Sequence, residues 1–155
     1  NPQQVAWCHG AAGIALSRLK IYEKHRLPQA KEEASKALHF LLTGPAPDEH
    51  VICHGSLGNL EPLLLAAQLF PEERIWQRQL QERGRQILND INRRGWRSKV
   101  CSQVIEPGLM TGLAGIGYQL LRLHASDKVP SVLTLDAPVA VSAPERSQSP
   151  ERPHV

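Results

Sequence analysis

Apolar positions recur at helical spacing along most of this chain. In residues 12–25, Ile14, Leu16, Leu19 and Ile21 are interleaved with Arg18, Lys20 and Glu23, which predicts an amphipathic helix. Pro28 marks a stop. Residues 29–42 resume the period with Ala34, Leu38, Leu41 and Leu42, until Gly44, Pro45 and Pro47 end it. Residues 57–69 are mostly apolar and predict a helix buried on several sides. A turn at Phe70, Pro71 and Glu72 leads into a long helix over 73–93, with Ile75, Leu80, Ile87, Leu88 and Ile91 facing inward. Residues 113–124 form the final strong helix. Sustained period-two alternation is absent, so the expected fold class is all-α, with strands local at most.

The pattern changes beyond Lys128. Residues 129–136 retain Val132, Leu133 and Leu135 and are expected to dock as one extended segment. From 137 to 155 Pro, Ser, Glu and Arg dominate, a composition too polar to bury a core, which predicts a disordered tail. A single domain is therefore expected over 1–128. No apolar run approaches the roughly 20 residues needed to cross a bilayer. The longest, 60–70, is broken by Glu61, Pro62 and Gln68, and no signal peptide precedes it. The chain opens at Asn1 without an initiator Met and reads as the end of a longer protein.

Charge narrows the function classes. With 18 Lys and Arg against 15 Asp and Glu, a net charge of +3 gives no reason to expect a nucleic-acid partner. The basic residues cluster over 74–99 and alternate with Glu82 and Asp90. This is the pattern of a solvated helix face laced with salt bridges; the alternative is a docking surface for an acidic peptide, such as a leader segment. Three cysteines without a secretion signal point to a reducing, cytoplasmic setting rather than a disulfide framework.

An internal repeat carries the most information. Gly10-Ala11-Ala12-Gly13-Ile14, Gly55-Ser56-Leu57-Gly58-Asn59 and Gly112-Leu113-Ala114-Gly115-Ile116 share one Gly-x-x-Gly template, and each opens a helical segment. Glycine costs roughly 1 kcal/mol against alanine inside a helix. Three such pairs therefore imply a close backbone approach between packed helices, or a turn that only glycine permits. Separations of 45 and 57 positions leave room for a pair of helices in each repeat. That spacing suits an α/α toroid whose inner helices gather their N-terminal loops at one rim.

The first two repeats are each preceded by Cys-His: Cys8-His9-Gly10 and Cys53-His54-Gly55. Thiolate and imidazole together favour zinc over hard cations. The spacing is not that of a zinc finger, but convergent loops of a toroid would bring the groups together. Three protein ligands would leave a fourth position open, as in catalytic zinc sites. Against this, a lone Cys is often a small buried hydrophobe. Cys101 lacks such a context and is expected to be structural. His25, His39, His50, His124 and His154 fall on helix surfaces, in loops or in the tail, and no role is assigned to them.

The segments Trp7–Ile14 and Cys53–Glu61 resemble the two metal-binding signatures of LanC-like lanthionine cyclases. Pro107–Tyr118 is similar to the closing motif of the class II bifunctional synthetases, and Pro130–Asp136 resembles their C-terminal ending. The resemblance runs from about Trp7 to Asp136. It implies part of an α/α toroid, with zinc held by Cys8, Cys53 and His54. It also implies cyclisation of a precursor peptide whose Ser and Thr were dehydrated by a domain upstream. Cysteine thiolate would add to dehydroalanine or dehydrobutyrine, and His9 would be the acid that protonates the resulting enolate. The family places a further catalytic histidine and an early part of the toroid before the first Cys motif, so the segment is expected to be incomplete and weakly active alone. Two other readings stay open. One is a zinc-thiol binding module of the kind that engages glutathione-type thiols. The other is a structural zinc domain in which His9 is a fourth ligand.

Overall fold

The computed structural model describes residues 5–98 and 106–138, and among these the chain is helical, without a strand. Five helices follow one another: α1 (Ala11–His25), α2 (Pro28–Thr43), α3 (Glu61–Leu69), α4 (Arg74–Arg94) and α5 (Leu113–His124). A short 3-10 turn, Gly58–Leu60, leads into α3. Cys101 and the tail from residue 139 lie outside the described residues.

Local chemistry explains the boundaries. Arg26 ends α1 in the left-handed region (φ 53°), with its N–H on the Tyr22 carbonyl. Pro28, preorganised for the first turn of a helix, then starts α2. Gly95 closes α4 at φ 76°, where a side chain would be strained.

Helix α3 is the centre of the core. Every residue from Glu61 to Ala66 is buried, because α1 and α4 pack on it and α5 is tied to it. The tie is ionic: Glu61 accepts from Arg122 Nε at 2.7 Å and from Gln119 Nε2 at 2.8 Å, all three side chains being buried. Removing two charges from water is costly, and only this complete pairing offsets it. Leu16, Leu19, Leu38, Leu41, Ile52 and Ile116 join Leu63 of α3 in the core.

The inward assignment of Leu88 fails, and Ile14, in the apolar pattern of α1, faces outward. Leu88 is 47% exposed and Ile14 is 52% exposed; on α4 the buried residues are Trp76, Ile87 and Ile91, and on α1 they include Ala12, Ala15, Leu16 and Leu19. A 3.6-residue period fixes the stripe only to within one neighbouring position.

The segment after α5 docks, but as a turn rather than extended. Tyr118 donates its hydroxyl hydrogen to the Pro130 carbonyl and accepts from the Val132 N–H. Asp136 closes the turn on Ser131 and pairs with Lys20 of α1 at 3.1 Å. Leu133 is buried by it, whereas Leu135 is 87% exposed at φ 56°. Hydrogen bonds to the Asp136 carboxylate override the apolar pattern here.

Candidate metal centre

The three Gly-x-x-Gly segments adopt one backbone design. A Cβ added at Gly13, Gly58 or Gly115 would lie 2.0, 1.8 or 1.7 Å from the carbonyl oxygen of Trp7, Ile52 or Leu109. Each of those carbonyls belongs to the residue six positions earlier in the same loop. The close approach foreseen from the glycines is thus within a loop, not between packed helices. The first helical bonds match as well: Ile14, Asn59 and Ile116 donate to the carbonyls of Gly10, Gly55 and Gly112. In the second and third loops Ser56 and Leu113 donate to Glu49 and Glu106, both at 2.8 Å.

The loops are also joined to one another at equivalent positions. Cys8 N–H donates to the Cys53 carbonyl at 3.3 Å, and Cys53 N–H donates to the Met110 carbonyl at 2.9 Å. This head-to-tail bonding gathers the loops at one end of the helices. It brings a ligand atom from each of Cys8, Cys53 and His54 to within 4.8 Å of the others, the only such group of Cys, His, Asp and Glu among the described residues. In the third loop the matching positions hold Met110 and Thr111, which add no ligand to the group.

Cys8 is exposed, and Cys53 is partly buried. Burial, with Cys8 beside it, pushes the Cys53 thiol up to about 11. His9 lies outside the group of three, but its Nδ1 is 2.9 Å from Cys8 Sγ. His54 Nε2 faces Glu49 Oε2 at 3.6 Å. An open cavity of about 620 Å³ adjoins Cys8 and His9, and Ile14, Lys20, Leu133 and Leu135 are among the residues that wall it. Exposed Ile14 and Leu135 thus line this cavity, which reaches Cys8 and His9 but not Cys53 or His54.

Sequence reasoning passed over two residues. Glu49 stands behind His54, and His50, given no role, is buried at 2% exposure. Its Nδ1 accepts from the Arg97 N–H and its Nε2 faces Asp90 at 3.1 Å, which pins the loop before Cys53 to the end of α4. A His three positions before Cys-His was the available signal.

In the basic stretch Asp90 pairs with Arg94 of α4 and with Arg97 just beyond it. No helix among the described residues is long and apolar enough to cross a membrane.

A fold of helices whose Gly-x-x-Gly loops present Cys and Cys-His at one end has a counterpart among known families. The chain belongs to the lanthionine synthetase C-like family, whose model matches residues 1–134. It is similar to the lacticin 481/lactococcin biosynthesis protein LcnDR2 of Lactococcus lactis subsp. lactis, with 29% identity over 127 residues. That match takes in 75% of this chain and 14% of the length of the relative. No solved structure matches the chain significantly.

Proposed function

We propose that this chain carries the zinc centre of a lanthionine-forming cyclase, with Cys8, Cys53 and His54 as the metal ligands. The observation that supports it is the convergence of those three ligand atoms within 4.8 Å from loops 45 positions apart. Zn–S and Zn–N bonds of about 2.3 and 2.0 Å put the ligand atoms of a tetrahedral site roughly 3.5–3.8 Å apart. A contraction of about 1 Å, within the reach of side-chain rotation, makes the group fit. Zinc bound there supplies the positive charge that holds a substrate cysteine as its nucleophilic thiolate. Two thiolates and a neutral imidazole balance the charge of the ion, so the incoming sulfur stays electron-rich.

The protein groups then act on the peptide. The walls formed by Ile14, Leu133 and Leu135 receive its apolar flank beside Cys8. When the sulfur has bonded to the β-carbon of dehydroalanine or dehydrobutyrine, the α-carbon carries the displaced electron pair and needs a proton. His9 supplies it. With Nδ1 held against Cys8 sulfur, Nε2 is the nitrogen left to face the substrate. The peptide arrives already dehydrated, which assigns the preceding step to a dehydratase domain of the parent protein, in the reducing cytoplasm.

The test uses the full parent protein. His9→Ala is expected to slow ring formation on a dehydrated precursor by roughly 10²-fold or more, the worth of a general acid, with zinc content unchanged. A fall in zinc content with His9→Ala would instead make His9 a fourth ligand of a structural site. Zinc-dependent thiol binding without rings would mark a thiol-binding module.

A further inference from the structure

We infer that Glu49 is a positioning residue for the metal centre: its carboxylate fixes the ring of His54 so that Nε2 carries the hydrogen and Nδ1 is presented to the metal. The inference rests on the reading of His54 as a ligand. Three observations carry it. The Glu49 side chain is 13% exposed, and its Oε2 stands 3.6 Å from His54 Nε2. Glu49 is not part of the group of three, so its carboxylate is a neighbour of the imidazole and not a candidate ligand. The third observation is the repeat. Five positions after Glu106, in the matching loop, Thr111 Oγ1 donates to Glu106 Oε1 at 2.8 Å. Both loops therefore place a carboxylate behind the second residue of the rim pair. In one loop that residue is a threonine; in the other it is the imidazole grouped with two cysteines.

The chemistry explains why the histidine needs this. A neutral imidazole offers a lone pair on one nitrogen and a hydrogen on the other, and the hydrogen's partner decides which is which. With no partner, both tautomers are populated, and the ring turns freely about its two side-chain torsions. A carboxylate at Nε2 selects the tautomer that donates its hydrogen from Nε2 and leaves the Nδ1 lone pair, made more basic, for the metal. The present 3.6 Å is longer than a hydrogen bond. A small side-chain rotation of Glu49 or His54 closes it to hydrogen-bond length.

The third loop provides the control, because Glu106 closes the same backbone turn without serving a ligand. In the full chain, zinc affinity is measured by competition with a chromophoric chelator for wild type, Glu49→Ala, Glu49→Gln and Glu106→Ala. Loss of an outer partner of a ligating histidine costs about 10–100-fold in affinity, and Glu49→Ala is expected to fall in that range. Glu49→Gln should lose less, since its amide oxygen still accepts from Nε2–H, and Glu106→Ala should bind as wild type does. The second readout needs no metal: nitrogen-15 spectra of the His54 ring. Wild type should be held as the Nε2–H tautomer, and Glu49→Ala should be mixed. Equal affinity in Glu49→Ala and wild type, or a wild-type tautomer in Glu49→Ala, overturns the inference. If wild type takes up no zinc, the ligand assignment fails, and the tautomer measurement still decides whether Glu49 orients His54.

Discussion

The second and third rim loops share a backbone and differ in what they present. Residues 49–58 and 106–115 both close on a glutamate carbonyl, both press a glycine against the carbonyl six residues earlier, and both set a carboxylate behind the rim pair. One pair is Cys53-His54; the other is Met110-Thr111. Met110 is partly buried against the core, and Thr111 is tied to its glutamate. The difference teaches that the loop is a scaffold independent of its chemistry. Glycines and backbone hydrogen bonds hold the shape, and two side chains decide what the loop presents.

The comparison extends one helical turn further, where it can be broken most forcefully. Glu61 and Tyr118 occupy equivalent places after their loops, and each anchors what packs beside it. Glu61→Ala leaves the Arg122 guanidinium buried without its carboxylate and is expected to cost about 3–5 kcal/mol. Tyr118→Phe deletes two hydrogen bonds, to the Pro130 carbonyl and from the Val132 N–H, and is expected to cost about 1–2 kcal/mol. Urea unfolding of the two variants measures both. Equal losses would mean that the buried pair is not what ties α3 to α5.

Next in size are the glycines. Gly58→Ala and Gly115→Ala each force a methyl against a carbonyl oxygen, and overpacking of this kind costs typically 1–3 kcal/mol. If the scaffold is shared, the two variants lose similar stability in urea, but only Gly58→Ala also weakens zinc binding. A Gly115→Ala protein as stable as wild type would show that the third loop is not held by the same contact.

The smallest effect is a pH slope. Burial, the dominant cause, and the neighbouring Arg97 hold His50 below its ordinary value, with Asp90 opposing them. The folded state therefore keeps His50 neutral where the unfolded chain, titrating near about pH 6.5, takes up a proton. The stability it contributes is full above that pH and is lost progressively as pH falls below it. Between about pH 7 and 5, above the range in which carboxylates titrate, the urea midpoint should decline, and His50→Gln should flatten the slope. An unchanged slope in His50→Gln would assign the decline to other groups.

The helical pattern, its breaks at Pro28 and Gly44, and the three Gly-x-x-Gly repeats were legible because each depends on local spacing. Cys8, Cys53 and His54 could be named because the repeat made them equivalent and the family resemblance completed the set. Ile14, Leu88 and Leu135 were misplaced for a different reason: exposure depends on which neighbours arrive, and helical period cannot supply them. Glu49 and His50 were overlooked because they lie in a polar connection without period. Their partners, His54 on one side and Asp90 with Arg97 on the other, are set by the folded loop. The turn at Asp136 escaped notice because a single carboxylate, not an apolar pattern, determines it.

Metal content decides the assignment of Cys8, Cys53 and His54. Wild type, Cys53→Ala and Met110→Ala are purified without added chelator, checked for equal helicity by circular dichroism, and analysed for zinc. The two rim positions are equivalent in backbone and differ in chemistry, so about one zinc per chain is expected in wild type and in Met110→Ala. Cys53→Ala should hold almost none. Equal zinc in Cys53→Ala and wild type would contradict the assignment of the site.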